Sequence, residues 1–143
     1  MIKGIDYTGV AIVPILHDGS GKYLFGLRTD KCRDEHWKWD LLGPGGLKYG
    51  ETIEAGIIRE VQEEAGVTPY NFEFLGVRET FGNSEGESKH WVSLDYKAQV
   101  DASKVVLSEP DKFAEIKWCK ISEIPNPQHS QLPAVLEKYK AYL

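Results

Sequence analysis

Between Arg59 and Val67 the chain reads REVQEEAGV, which places Glu60, Glu63 and Glu64 within one and a half turns of a helix. Like charges three and four residues apart on a helix repel. The ordinary reading of such a run is a solvated charged face, but two features argue for more. Arg59 is the only Lys or Arg within a turn of Glu63 and Glu64, and Gly56, a poor helix former, lies on the acidic side, as if another group had to come close. A hard divalent cation, Mg²⁺ or Mn²⁺, would supply the missing positive charge, because it takes oxygen ligands from a few carboxylates together with substrate phosphates. Two carboxylates at i and i+4 can reach one ion.

The elements around this stretch are readable from pattern. Thr52 is a suitable N-cap and Gly66 a suitable stop, which bounds the helix TIEAGIIREVQEEAG on both sides. At 100° per residue, Ile53, Ile57, Ile58, Val61 and Ala65 share an apolar side, and the acids lie next to it. Ahead of the helix, WDLLGPGGLKYGE carries four glycines and a proline and reads as an irregular loop able to press backbone against the acidic face. The segments Thr8 to Leu16 and Lys22 to Arg28, joined by HDGSGK, read as a hairpin. Phe72 to Phe81 and Lys89 to Val100 read as strands around the turn GNSEGES, the second with Val92, Leu94, Tyr96, Ala98 and Val100 alternating with Trp91, Ser93, Asp95 and Lys97. Glu115 to Ile124 gives a short strand and a turn, and PAVLEKYKAYL a last helix. The expected class is α/β (α+β), layered on a central mixed sheet.

Bulk properties narrow the field. The 143 residues fit one domain, 1–143, with a sizeable core. A formal net charge of −5 argues against a nucleic-acid duplex as the main partner, which would demand a basic face. Cys32 and Cys119 are isolated thiols without metal-site or disulfide spacing, and they read as reduced cysteines of a cytoplasmic protein. No apolar run approaches the ~18 residues that a membrane span needs.

The segment Gly45 to Val67, GGLKYGETIEAGIIREVQEEAGV, resembles the Nudix box, G-x5-E-x7-R-E-U-x-E-E-x-G-U with U aliphatic. Nine specified positions match, namely Gly45, Glu51, Arg59, Glu60, Val61, Glu63, Glu64, Gly66 and Val67. The resemblance implies an α/β/α sandwich and Mg²⁺-dependent hydrolysis of a nucleoside diphosphate linked to another group. It also implies Glu60 and Glu64 as metal ligands, Glu63 as a partner in ligation or water activation, the Gly45 carbonyl as a further ligand, and a Glu51–Arg59 pair that holds the loop to the helix. Family members usually read L-P-G-G-x ahead of the box, whereas this chain has Leu42-Gly43-Pro44-Gly45-Gly46, and Lys48 stands where an acid is usual.

Outside the box the same resemblance offers Glu109, otherwise a plain loop acid, as a distant metal ligand, and Arg28, otherwise a surface arginine, as a phosphate contact. Phe81, Trp37, Trp39 and Trp91 could stack a base or belong to core and rim, and His90 could meet a base edge or simply sit at a strand edge. The distal region is similar to that of MutT-type nucleoside-triphosphate pyrophosphatases, which favours a (deoxy)nucleoside triphosphate cut to monophosphate and pyrophosphate. ADP-ribose or another nucleoside-diphosphate sugar is the alternative substrate. A non-catalytic nucleotide-binding regulatory module is the alternative of another class, and the intact set of acids speaks against it. Exposed sheet edges leave room for a homodimer.

Overall fold

The structure is a computed structural model that describes residues 1–84 and 87–143. Within those residues, strands β1 (Gly9–His17), β2 (Tyr23–Arg28), β3 (Trp39–Leu41), β4 (Gly45–Gly46), β5 (Tyr70–Ser84), β6 (Glu87–Gln99) and β7 (Phe113–Cys119) form one mixed sheet. The main path runs β3-β2-β1-β6-β5, with β4 paired to β1 and β7 to β2. β1 lies parallel to β6 and antiparallel to β2 and β4. Helix α1 (Ile53–Ala65) and the short helix α2 (Leu132–Lys138) cover the two faces.

Side chains of β1 show how two cores arise from one strand. Ile12 and Leu16 point into the layer under α1, with Leu24, Ile57, Val61 and Ala65, whereas Val13 and Ile15 enter the layer under α2, with Phe25, Leu132 and Val135. This is the two-residue period of a strand buried on both sides. Each fully buried aliphatic of α1 contributes about 1.5–3 kcal/mol of transfer free energy, which fixes the helix on the sheet with its acidic side turned toward the glycine loop. Both helix ends are closed: the Thr52 hydroxyl accepts from the Ala55 amide at 3.2 Å, and Gly66, with φ of 65°, turns its N–H back to Gln62 O at 3.1 Å.

Three sequence expectations are corrected. The run from Trp39 to Gly46 is not wholly irregular, because β3 and β4 are short strands whose partners lie elsewhere in the chain. The final helix is shorter than the PAVLEKYKAYL segment, since α2 stops at Lys138 and a 3-10 turn follows at Lys140–Tyr142. The strand near Glu115 begins earlier, at Phe113, and its closing turn is a 3-10 turn at Ile121–Glu123. The expected turn GNSEGES falls partly outside the described residues, at 85–86. Ser93 and Asp95, the polar set of the alternating strand, are buried beside the α2 layer. Among the described residues no helix is long and apolar enough to cross a membrane.

Candidate active site

The glycine run ahead of α1 touches the helix at three points. The Gly43 amide donates to the Glu64 carboxylate. Gly45 sits so close to Glu60 that a Cβ there would overlap the Glu60 carboxylate. The Gly46 carbonyl accepts from Arg59 Nη2 at 3.1 Å. Gly56, on the helix itself, is buried against Ile12, Leu47 and Glu51, which accounts for a small residue at that position.

Arg59 is the hub of the charges. Its Nη2 and Nε donate to the two oxygens of Glu51 at 2.7 and 3.1 Å, its Nη1 to Glu60 at 2.7 Å, and Glu63 stands 3.7 Å away. The paired guanidinium holds the Glu51 carboxyl down to about 2, helped by the Lys48 amide, which donates to Glu51 at 2.8 Å.

The three acids of the helix occupy different environments. Glu64 is 7% exposed, and burial pushes its carboxyl up to about 8; the Gly43 N–H opposes that rise, and the negative charges of Glu60 and Glu109 add to it. Glu60 leans on Gly45 and Arg59. The Glu63 side chain is 50% exposed on the outer side of Arg59. Glu109 approaches from the loop before β7, paired with Lys112 at 3.1 Å, so Glu60, Glu64, Glu109 and Lys112 share one electrostatic neighbourhood. Among the described residues no three His, Cys, Asp or Glu side chains are already grouped to enclose a metal ion. The donor set nevertheless suits a hard cation, with carboxylates at Glu60 and Glu64 and loop backbone beside them. A buried acid whose charge is opposed by its neighbours is the kind of group that such an ion would relieve.

Beside the glycine run opens a cavity of about 350 Å³ bounded by Gly45 and Gly46 at one end and by Arg78, Trp91, Ser93 and His129 along its walls. A second cavity of about 360 Å³ adjoins it and shares Arg33, Thr80, Trp91, His129 and Gln131 with it. Arg28 and Phe81 line the second cavity, not the first. The guanidinium of Arg28 donates to Asp34 at 2.9 and 3.1 Å and lies 3.5 Å from Asp40. Phe81 is 68% exposed and stacks on His90, with ring centroids 4.4 Å apart. Of the tryptophans, Trp91 faces both cavities, Trp39 is 6% exposed in the α2 core, and Trp37 is exposed away from both.

Residues 7–140 match the NUDIX domain. The chain belongs to the NUDIX family. The chain resembles members with several names, among them pyrophosphohydrolases and a diphosphatase. It is 28% identical over 118 residues to an RNA pyrophosphohydrolase of Teredinibacter turnerae, a match covering 73% of this chain and 66% of that protein, so just under two thirds of the relative's length is spanned. Over a shorter stretch of 45 residues, 31% of this chain and 35% of the relative, it is 44% identical to the 8-oxo-dGTP diphosphatase of Escherichia coli. In fold it matches a MutT NUDIX hydrolase from Burkholderia pseudomallei, with a TM-score of 0.79, 24% identity, and coverage of 92% of this chain and 98% of the other.

Sequence reasoning passed over one cluster, formed by Arg78, Asp95 and Tyr139. Arg78 and Asp95 hold an ion pair at 2.6 Å, and the Tyr139 hydroxyl donates to the same carboxylate at 2.5 Å. These residues lie 17 and 44 positions apart, so no local pattern links them. An acid alternating with apolar residues along a strand was the only signal.

Proposed function

We propose that this NUDIX protein hydrolyses a phosphoanhydride of a nucleoside diphosphate linked to another group, with Mg²⁺ or Mn²⁺ as cofactor, and that its substrate is a (deoxy)nucleoside triphosphate cut to monophosphate and pyrophosphate. The observation that carries the reading is the junction of loop and helix, where Gly43 and Gly45 meet the carboxylates of Glu64 and Glu60 and where Gly45 also lines a cavity of about 350 Å³. Glu60, Glu64 and the Gly45 carbonyl would hold the ion, with Glu63 and Glu109 as further carboxylates. When bound, the ion neutralises the phosphate oxygens and favours in-line attack by water.

The residues of the chain do the rest. Glu51 and Arg59 clamp the loop to the helix, so that the acids and the backbone stay in one place. Glu63, the least buried of the three helix acids, would accept a proton from the attacking water. Trp91 offers an aromatic wall to the base, and Arg28 and Phe81, in the adjoining cavity, serve the distal part of the substrate. The unpaired thiols of Cys32 and Cys119 suit a cytoplasmic setting.

Release of phosphate from a panel of nucleoside triphosphates, a 5′-triphosphorylated oligonucleotide and ADP-ribose, with and without Mg²⁺ and with added pyrophosphatase, tests this reading, with AMP followed directly for ADP-ribose. Mg²⁺-dependent signal from free triphosphates, appearing only when pyrophosphatase is added, is the expected result. Signal confined to ADP-ribose moves the protein to the sugar-nucleotide class, and no turnover on any compound makes it a binding module.

A further inference from the structure

Arg78 on β5 is held more firmly than its place in a strand requires. Its Nε and Nη2 donate to the two oxygens of Asp95 at 2.6 and 2.9 Å, and Asp95, on the neighbouring β6, is 0% exposed. Tyr139, just past α2, donates its hydroxyl to the same carboxylate at 2.5 Å. It reaches across Gly76, where a Cβ would stand 3.0 Å from the tyrosine oxygen, at the point where the β5–β6 register shifts. Side chains from two other elements thus converge on the Asp95 carboxylate, which in turn fixes the guanidinium. Burying an ion pair desolvates two charges and returns little stability over apolar packing, so fastening α2 to the sheet does not by itself account for the arrangement.

The same arginine lines the cavity that begins at Gly45. Among the described residues its third nitrogen, Nη1, carries no hydrogen bond. Trp91 also lines that cavity, and its indole is backed so tightly by the N-terminal turn and the start of β1 that a Cβ on Gly4 or Gly9 would overlap the ring. A ligand whose phosphates lie at the acidic helix therefore extends into a space with a fixed aromatic surface and a fixed donor. Because Asp95 already matches the charge of Arg78, Nη1 offers direction with little net charge, which suits a neutral carbonyl oxygen better than a phosphate. A guanidinium donates only. An exocyclic amino group in the same position would set N–H against N–H.

We propose that Arg78 is a substrate-contacting residue that selects nucleobases with a carbonyl at purine C6 or pyrimidine C4 over those with an amino group there, and that Asp95 and Tyr139 are its positioning residues. This rests on the nucleotide reading above. Inosine and adenosine triphosphates differ at the position concerned, as do uridine and cytidine triphosphates. The wild-type protein is expected to favour the carbonyl member of each pair in kcat/KM by roughly tenfold or more. Tyr139→Phe, which keeps the ring, should shrink that ratio mainly through KM. Arg78→Lys should restore only part of it, because a lysine lacks the planar fork. Arg78→Gln alone strands a buried carboxylate and endangers the fold, so it is combined with Asp95→Asn, which leaves an uncharged pair, and the ratio should then fall to about one.

A purely structural role would lower the melting temperature of these variants and leave the ratio untouched, and that result overturns the proposal, as does an equal rate on both members of a pair in the wild type. If no nucleotide is hydrolysed, it is the functional reading that has failed. Calorimetry with inosine and adenosine monophosphates then decides on Arg78 separately. Tighter binding of inosine monophosphate that disappears in the double variant supports the proposal, and equal affinity or no binding overturns it.

Discussion

The amide of Gly43 donates a hydrogen bond to the carboxylate of Glu64 across twenty-one residues of chain. Burial already keeps that carboxyl largely uncharged at neutral pH without a cation, and glutamine would keep the acceptor while removing the group that could ionise there. Glu64→Gln is therefore expected to lower kcat by about 10²- to 10⁴-fold, and to leave the metal-free protein at least as resistant to heat as the wild type at neutral pH. Melting curves in chelator, run beside turnover in Mg²⁺, measure both effects. Near wild-type turnover would remove Glu64 from the site.

Gly45 is placed where any side chain would displace the Glu60 carboxylate. For Gly45→Ala the prediction is a loss of at least about tenfold in activity with a stability cost of about 1–3 kcal/mol from overpacking. Urea midpoints separate the two contributions, and an unaffected kcat would mean that Glu60 tolerates being moved.

Glu51 is one of the carboxyls that make stability depend on pH. Arg59 holds its carboxyl at about 2 in the folded protein, against 4.5 for the ordinary group. A depressed carboxyl stabilises the fold fully above the unfolded value and loses that contribution as pH falls from 4.5 toward 2. Glu51→Gln should accordingly flatten the acid limb of the stability curve over that interval. Glu35, also held at about 2 by Lys38 and Ser130, acts in the same interval, so a Glu35→Gln variant serves as the comparison. An acid limb identical to that of the wild type in Glu51→Gln would show the clamp to be unimportant to folding.

Glu63 differs from its neighbours by its exposure and its longer contact with Arg59, 3.7 Å. Replacing it with Gln is expected to change stability by no more than about 0.5 kcal/mol. The same change should still slow turnover if Glu63 takes the water's proton. Equal kcat values for wild type and Glu63→Gln across a pH series would transfer that role to another carboxylate.

Helix α1 was legible because its signals are local: a capping Thr52, a terminating Gly66 and an apolar stripe all lie within fifteen residues. The strands β3 and β4 were hidden because two or three residues of glycine-rich chain become strands only through pairing with β2 and β1. Trp39 read as a candidate for stacking, yet its ring completes the α2 core, a place assigned by residues as distant as Leu132 and Tyr139. Asp95 misled for a related reason. Alternation with apolar neighbours normally marks a wet face, but α2 covers this one, and only Arg78 and Tyr139 make a buried carboxylate tolerable there.

Arg59 touches Glu51, Glu60 and Glu63 at once. Those three carboxylates thus carry a tethered counter-ion of their own, which leaves Glu64 as the acid whose charge still awaits a partner. Chelated protein should stand folded with loop and helix already joined, so an arriving cation would spend its affinity on drawing in Glu64 and displacing one guanidinium rather than on organising the chain.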